Sequence, residues 1–189
     1  GVTPAVIKES WPNTSGPNAS CPDPVLRLTN VKATVSNKIA NLGYWYNGGT
    51  VISEGVMWAW RTLSPKAPYA DGRAYSVTGN HKVMVVMSDG VNGLATNGGA
   101  STSNISDYSA YGYLGARRLW YPNVVQSFTQ LNTFLRDRTA AACTNAKASG
   151  IMIYTILFNH GLNAAQTTEA QDVLRSCATS AANFFNATD

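Results

Sequence analysis

Two residues of this 189-residue chain carry hard oxygen donors in settings from which they could act: Thr50 closes the turn Gly48-Gly49-Thr50, and Asp89 lies in Ser88-Asp89-Gly90, just after a short β-branched run. A hydroxyl and a carboxylate suit Mg²⁺ or Ca²⁺ if the fold brings them together. Simpler roles serve the same residues, since Thr before a helical stretch is a common N-cap and Asp-Gly after a strand is a common turn. A nucleophile with its base is the competing chemistry, with Ser88 and Asp89 after one apolar run and His160 after another. The stretch Val86-Met87-Ser88-Asp89-Gly90 lacks the Gly two places before Ser that a strained nucleophile elbow uses. Hydrolysis is therefore the weaker reading, with His160 a loop residue and His81 a surface residue at a strand entry.

Hydrophobic periodicity supplies the elements that must position these groups. Val31, Val35, Ile39 and Leu42 predict a helix over 30–42 with Thr29 as its cap. Ile52, Val56, Ala59 and Leu63 predict a second helix, ended by Ser64-Pro65. The runs 82–87 and 151–158 read as buried parallel strands, joined by a helix whose Val125, Phe128, Leu131 and Leu135 share a face. A further helix carries Ala170, Val173, Leu174 and Cys177, and residues 183–187 form a short last strand. Strand, helix, strand in that order is a right-handed crossover, so the class is α/β with a mostly parallel sheet flanked by helices.

Asp89 then leaves the C-terminal edge of the sheet, the ligand-facing edge of open α/β sheets. Residues 91–122, rich in Gly, Ser, Asn and Tyr, read as a long surface loop from that edge, and residues 1–28 as a loop-rich lead-in. Trp58 and Trp60 lie about 200° apart around their helix, and both are expected in the core.

Composition narrows the function. With 44% hydrophobic residues the chain can bury one core, and its 13% charged residues lean towards an exported protein. The net charge of +4 is scattered, with Arg117-Arg118 the one basic doublet, which argues against a nucleic-acid surface. No run reaches the roughly 18 apolar residues of a membrane span. Cys143 and Cys177 each fall near the end of a predicted helix, and Cys21 sits in a Pro-rich loop.

The segments Gly48-Gly49-Thr50-Val51-Ile52-Ser53-Glu54-Gly55 and Val85-Val86-Met87-Ser88-Asp89-Gly90-Val91-Asn92 resemble the second and third elements of the metal-ion-dependent adhesion site of von Willebrand factor A-type domains. The string from Gly55 to Pro65, with Tyr154-Thr155-Ile156 and Cys177-Ala178, resembles the A-type domains of TadG-like proteins of tight-adherence pili. The similarity runs from about Cys21 to the C-terminus. It implies a von Willebrand A, Rossmann-like sheet and a bacterial, extracytoplasmic, non-enzymatic protein of adhesion or pilus assembly that meets a protein partner or surface ligand. Thr50 and Asp89 would be the cation ligands, Ser88 and Asn92 the ligand rim, and Cys143–Cys177 a disulfide. The family's first element, Asp-x-Ser-x-Ser on a central strand, is absent from these residues. Its strand would lie beside the one ending at Asp89, and a closing helix would follow Asp189. The chain thus reads as the C-terminal portion of such a domain, incomplete at both ends, with an upstream segment or another chain completing the sheet and bearing any anchor. Mg²⁺ or Ca²⁺ would bind weakly to the two ligands present. A structural assembly subunit with a vestigial cation site is the alternative.

Overall fold

A computed structural model describes residues 22–43, 49–89, 91–94, 108–113, 118–119 and 128–188. The chain divides into two units, Gly1–Gly49 and Thr50–Asp189. In the first, the described elements are an extended lead-in from Pro22 and one helix, α1 (Lys32–Ala40). Thr29 is not its cap: Val31 takes the N-cap position without a side-chain bond, and the Thr29 Oγ1 accepts from the Val31 N–H at 3.2 Å. Lys38 in the last turn reaches Asp23 at 3.4 Å. The stripe Val31, Val35, Ile39, Leu42 is exposed, and α1 buries none of its residues. Spacing therefore marks the helix correctly without supplying the surface that covers it.

The second unit holds the sheet. Helix α2 (Ile52–Leu63) leads to strand β1 (Lys82–Ser88), and a two-residue-strand hairpin, β2 (Tyr108–Ser109) and β3 (Gly112–Tyr113), follows. Helix α3 (Phe128–Ala148) leads to β4 (Ile151–Asn159), and α4 (Ala164–Cys177) to β5 (Phe184–Thr188). The hairpin lies inside the stretch expected to be loop throughout, because strands of two residues leave no period to detect. Val125 falls outside the described residues.

Strands β1, β4 and β5 form a wholly parallel sheet in the order β1-β4-β5, with Lys82 opposite Ile151 and Thr155 opposite Phe184. Local chemistry sets the joints. Helix α3 stops at Gly150, whose φ of 83° only glycine adopts freely, and the strand begins one residue later. Helix α4 starts in a reciprocal capping box, with Asn163 accepting from the Gln166 N–H and Gln166 accepting from the Asn163 N–H. At the other end of the sheet the buried Lys82 ammonium donates to the carbonyls of Leu63 and Arg73, at 2.6 and 2.7 Å, closing the connection between α2 and β1. A Cβ at Gly72 would run into the Leu63 carbonyl of the same joint.

All three long helices of this unit lie on one face. Ile52 and Val56 of α2, Cys143 and Ala146 of α3, and Val173 and Cys177 of α4 pack with Met84, Ile151 and Ile153 of the sheet in one cluster. Burying each aliphatic side chain there contributes about 1.5–3 kcal/mol, the main force holding helix to strand. A disulfide joins Cys143 to Cys177 and so α3 to α4, with both cysteines fully buried. Cys21 lies outside the described residues.

Adjacent strands in register put every second residue on the opposite face. That second face carries Val83, Val85, Met87, Met152, Tyr154, Ile156, Phe158 and Phe185. It is apolar and open: Val85 is 60% and Met87 70% exposed, and Tyr154 and Phe185 stack on it with ring centres 6.4 Å apart. Trp58, expected in the core, is at the surface of α2 at 37% exposure, with the Arg61 guanidinium 4.6 Å from its ring centre. Trp60 packs against the core cluster as expected and donates its indole N–H to the Tyr75 hydroxyl at 3.0 Å.

Candidate functional site

The C-terminal edge of the sheet gathers the start of α2, the segment after β1 and the hairpin. Thr50 pairs with Gly93 as an isolated antiparallel bridge, its N–H donating to the Gly93 carbonyl at 2.8 Å and its carbonyl accepting from the Gly93 N–H at 2.9 Å. Gly93 is four residues beyond Asp89, so the bridge ties the Thr50 turn to the segment that Asp89 opens. Thr50 is half-buried and Asp89 exposed. Both residues thus lie on this one edge.

The bridge is locked from below by Asn92. Its side chain, 2% exposed, accepts from the Ile52 N–H at 3.0 Å and donates to the Thr139 Oγ1 at 3.2 Å. Thr139 in turn donates to the Leu135 carbonyl at 2.8 Å. The first N–H groups of a helix lack intrahelical partners. Here α2 takes one partner from a residue 40 positions away, while its N-cap, Val51, offers no side-chain bond. Thr50 is therefore not the cap, and Asn92, expected on a ligand rim, is built into the interior as the clamp between loop, α2 and α3. Ser88 likewise points into the covered face, opposite the fully buried Leu157, and is 9% exposed.

A second polar contact holds the hairpin over the same helix turn. The Tyr111 hydroxyl lies 2.6 Å from the Ser53 Oγ, and burial pushes that phenol up from its ordinary range, with the nearby Glu54 carboxylate adding to the rise and the Ser53 bond and Arg138 opposing it. Arg138 of α3 donates to the Leu119 carbonyl at 3.1 Å, fixing another point of the same long segment. Neither Ser53 nor Tyr111 was singled out by sequence, because a contact across 58 residues leaves no periodic trace.

The cation donors expected from the sequence are the Thr50 hydroxyl and the Asp89 carboxylate. Both are hard oxygens, so their chemistry suits Mg²⁺ or Ca²⁺. Among the described residues no three His, Cys, Asp or Glu side chains gather. His160 follows β4 and stacks with Phe158, ring centres 6.3 Å apart.

A parallel sheet with helices on its flank is consistent with a von Willebrand factor A-type fold, and comparison with a solved structure supports that fold. The chain is similar to the von Willebrand domain of the type V pili tip protein Mfa5 from Porphyromonas gingivalis, with a TM-score of 0.51, 16% identity, and coverage of 88% of this chain and 70% of that one. It also matches the pilus adhesin SpaC from Lactobacillus rhamnosus GG in its open conformation, at a TM-score of 0.48 and 13% identity, spanning 85% of this chain but 19% of that one. No family model matches the sequence, and no curated protein matches it.

Proposed function

We propose that the chain is a binding module of a bacterial pilus or cell-surface adhesion apparatus, working outside the cytoplasm, and that it meets its ligand at the C-terminal edge of the sheet around Thr50 and Asp89. The observation that carries this reading is the Thr50–Gly93 bridge locked by the buried Asn92 clamp. A binding edge needs its donors held in place before the ligand arrives, because ordering them afterwards costs affinity. The fold it shares with the Mfa5 domain and the disulfide inside its core support an exported setting. Among the described residues no helix is long and apolar enough to cross a membrane.

Binding rather than turnover is the chemistry proposed. Ser88, the hydroxyl that a hydrolase would need exposed, is buried in the covered face. The ligand is a protein partner or a surface group, and Mg²⁺ or Ca²⁺ bridges it to the chain, with Thr50 and Asp89 as the cation's protein donors. Two donors leave most of the cation's shell to water, so affinity for this chain alone is on the order of 1 mM, the weak end for extracellular sites. An upstream segment or another chain that completes the sheet supplies the remaining ligands. Calorimetric titration of Mg²⁺ and Mn²⁺ into the chain and into an Asp89→Ala variant tests this. Weak binding lost in the variant is expected. Tight binding that survives Asp89→Ala would place the cation elsewhere.

A further inference from the structure

We infer that Trp58, Arg61 and Tyr69 form a second binding surface, separate from the Thr50–Asp89 edge, and that its ligand is an acidic polysaccharide. A uronic-acid ring lies against the two aromatic rings, with its carboxylate on the Arg61 guanidinium.

The surface begins with an aromatic side chain that the fold leaves in solvent. Among the described residues of the second unit, the exposed large apolar side chains fall in two groups: the open sheet face, and the set Trp58, Tyr75 and Val77. Trp58 is on α2, and the other two belong to the connection 64–81 between α2 and β1. Tyr69 of that connection leans towards Trp58, with ring centres 6.1 Å apart and planes 49° apart, an open angle rather than a stack. Three residues further along the helix, Arg61 places its guanidinium 4.6 Å from the Trp58 ring centre. Among the described residues no carboxylate or carbonyl takes the Arg61 guanidinium N–H groups, which leaves them to a ligand.

Charge names the kind of ligand. Residues 58–82 carry Arg61, Lys66, Arg73 and Lys82 against one acid, Asp71, so most of the chain's net charge of +4 resides in this stretch. Lys82 is taken up by the Leu63 and Arg73 carbonyls, while Lys66 and Arg73 are exposed on the connection that carries Tyr69. A surface of one sign draws the opposite charge from solution. A guanidinium matches a carboxylate through two parallel hydrogen bonds. The rings supply the other half of the recognition: a pyranose presents a flat face of C–H groups, which rests on the negative face of an aromatic ring. A sugar bearing a carboxylate uses both features at once. An acidic peptide uses the cations alone, and a nucleic-acid strand needs a row of stacking rings along a basic groove rather than one inclined pair.

The connection is held in place before any ligand arrives. The Lys82 ammonium draws Leu63 and Arg73 together, the Gly72 N–H donates to the Ser64 carbonyl at 3.2 Å, and the Trp60 indole N–H donates to the Tyr75 hydroxyl. Trp60 packs against the core, so this last bond roots the connection in the folded unit. Rigid aromatic side chains on an ordered segment lose little entropy on binding. The connection lies at the end of the sheet where β1 begins, and Asp89 at the end where β1 stops.

Hexagalacturonate titrated calorimetrically into the chain, with EDTA present to silence the cation edge, tests this. Binding is expected, weakening several-fold as NaCl rises from about 50 to about 500 mM. Trp58→Ala and Arg61→Gln should each weaken it by about tenfold or more, with circular dichroism unchanged. Trp58→Phe, which keeps a ring, should recover most of the affinity, and Arg136→Gln, which removes an exposed cation of α3, should bind like wild type. Maltohexaose, which lacks carboxylates, should bind about tenfold more weakly or worse. Absence of hexagalacturonate binding, or binding that Trp58→Ala and Arg61→Gln leave intact, would overturn the inference. Equal affinity for hexaglutamate would reduce the surface to a cationic patch, and tighter binding of a six-nucleotide single strand would replace the sugar by a base; either result also sinks it. No cation takes part, so failure here and failure of the Thr50–Asp89 edge are separate results.

Discussion

The two faces of the sheet are built from the same residue types and meet opposite fates. Met84, Ile151, Ile153 and Leu157 lie on one face under α2, α3 and α4, while Val83, Val85, Met87 and Met152 alternate with them on the other and remain exposed. Strand chemistry is nearly identical on the two sides, so covering helices, not strand composition, decide which side forms a core. What holds the unit together lies on the covered side, while the open side stays apolar and exposed.

The disulfide should give a large effect on this contrast, because it staples two covering helices. In the chain-entropy picture, a link across 34 positions contributes about 3–4 kcal/mol. The double variant Cys143→Ala, Cys177→Ala should melt roughly 6–16 °C lower by circular dichroism. An unchanged midpoint would mean that the helices need no staple to stay on the sheet.

The contrast itself is tested by a pair of truncations. Leu157→Ala removes a fully buried side chain from the covered face and should cost about 2–5 kcal/mol in urea denaturation. Val85→Ser on the open face should cost no more than about 0.5 kcal/mol in the isolated chain. Similar losses at the two positions would show that the open face is already covered. At the edge an effect smaller than that of Leu157→Ala is expected. Asn92→Leu strands the Ile52 N–H and removes the Thr139 contact, for a loss of about 1–3 kcal/mol, with weaker cation binding as the loop loses its clamp.

The legible parts of the fold are those with a period. The β-branched runs at 82–87 and 151–158 and the stripe Ala170, Val173, Leu174, Cys177 announced their elements, the stripe with the right covered side chains, while the strands, expected to be buried, are covered on one face only. Position within the unit was less legible. Nothing in Trp58 distinguishes it from Trp60, yet one lies at the surface and the other against the core, because the outcome depends on what packs over α2. The edge was half legible. Thr50 and Asp89 stood out through their turns, whereas the Asn92 clamp and the Ser53–Tyr111 contact span 40 and 58 residues and exist only once the sheet is assembled.

The proposal that this edge is the binding surface is tested most directly by paramagnetic broadening. Mn²⁺ titrated at sub-stoichiometric levels into the ¹⁵N-labelled chain should broaden the amides of residues 49–53 and 89–93 before any others, and the effect should vanish in Asp89→Ala. Broadening centred elsewhere, or unchanged in that variant, would contradict it.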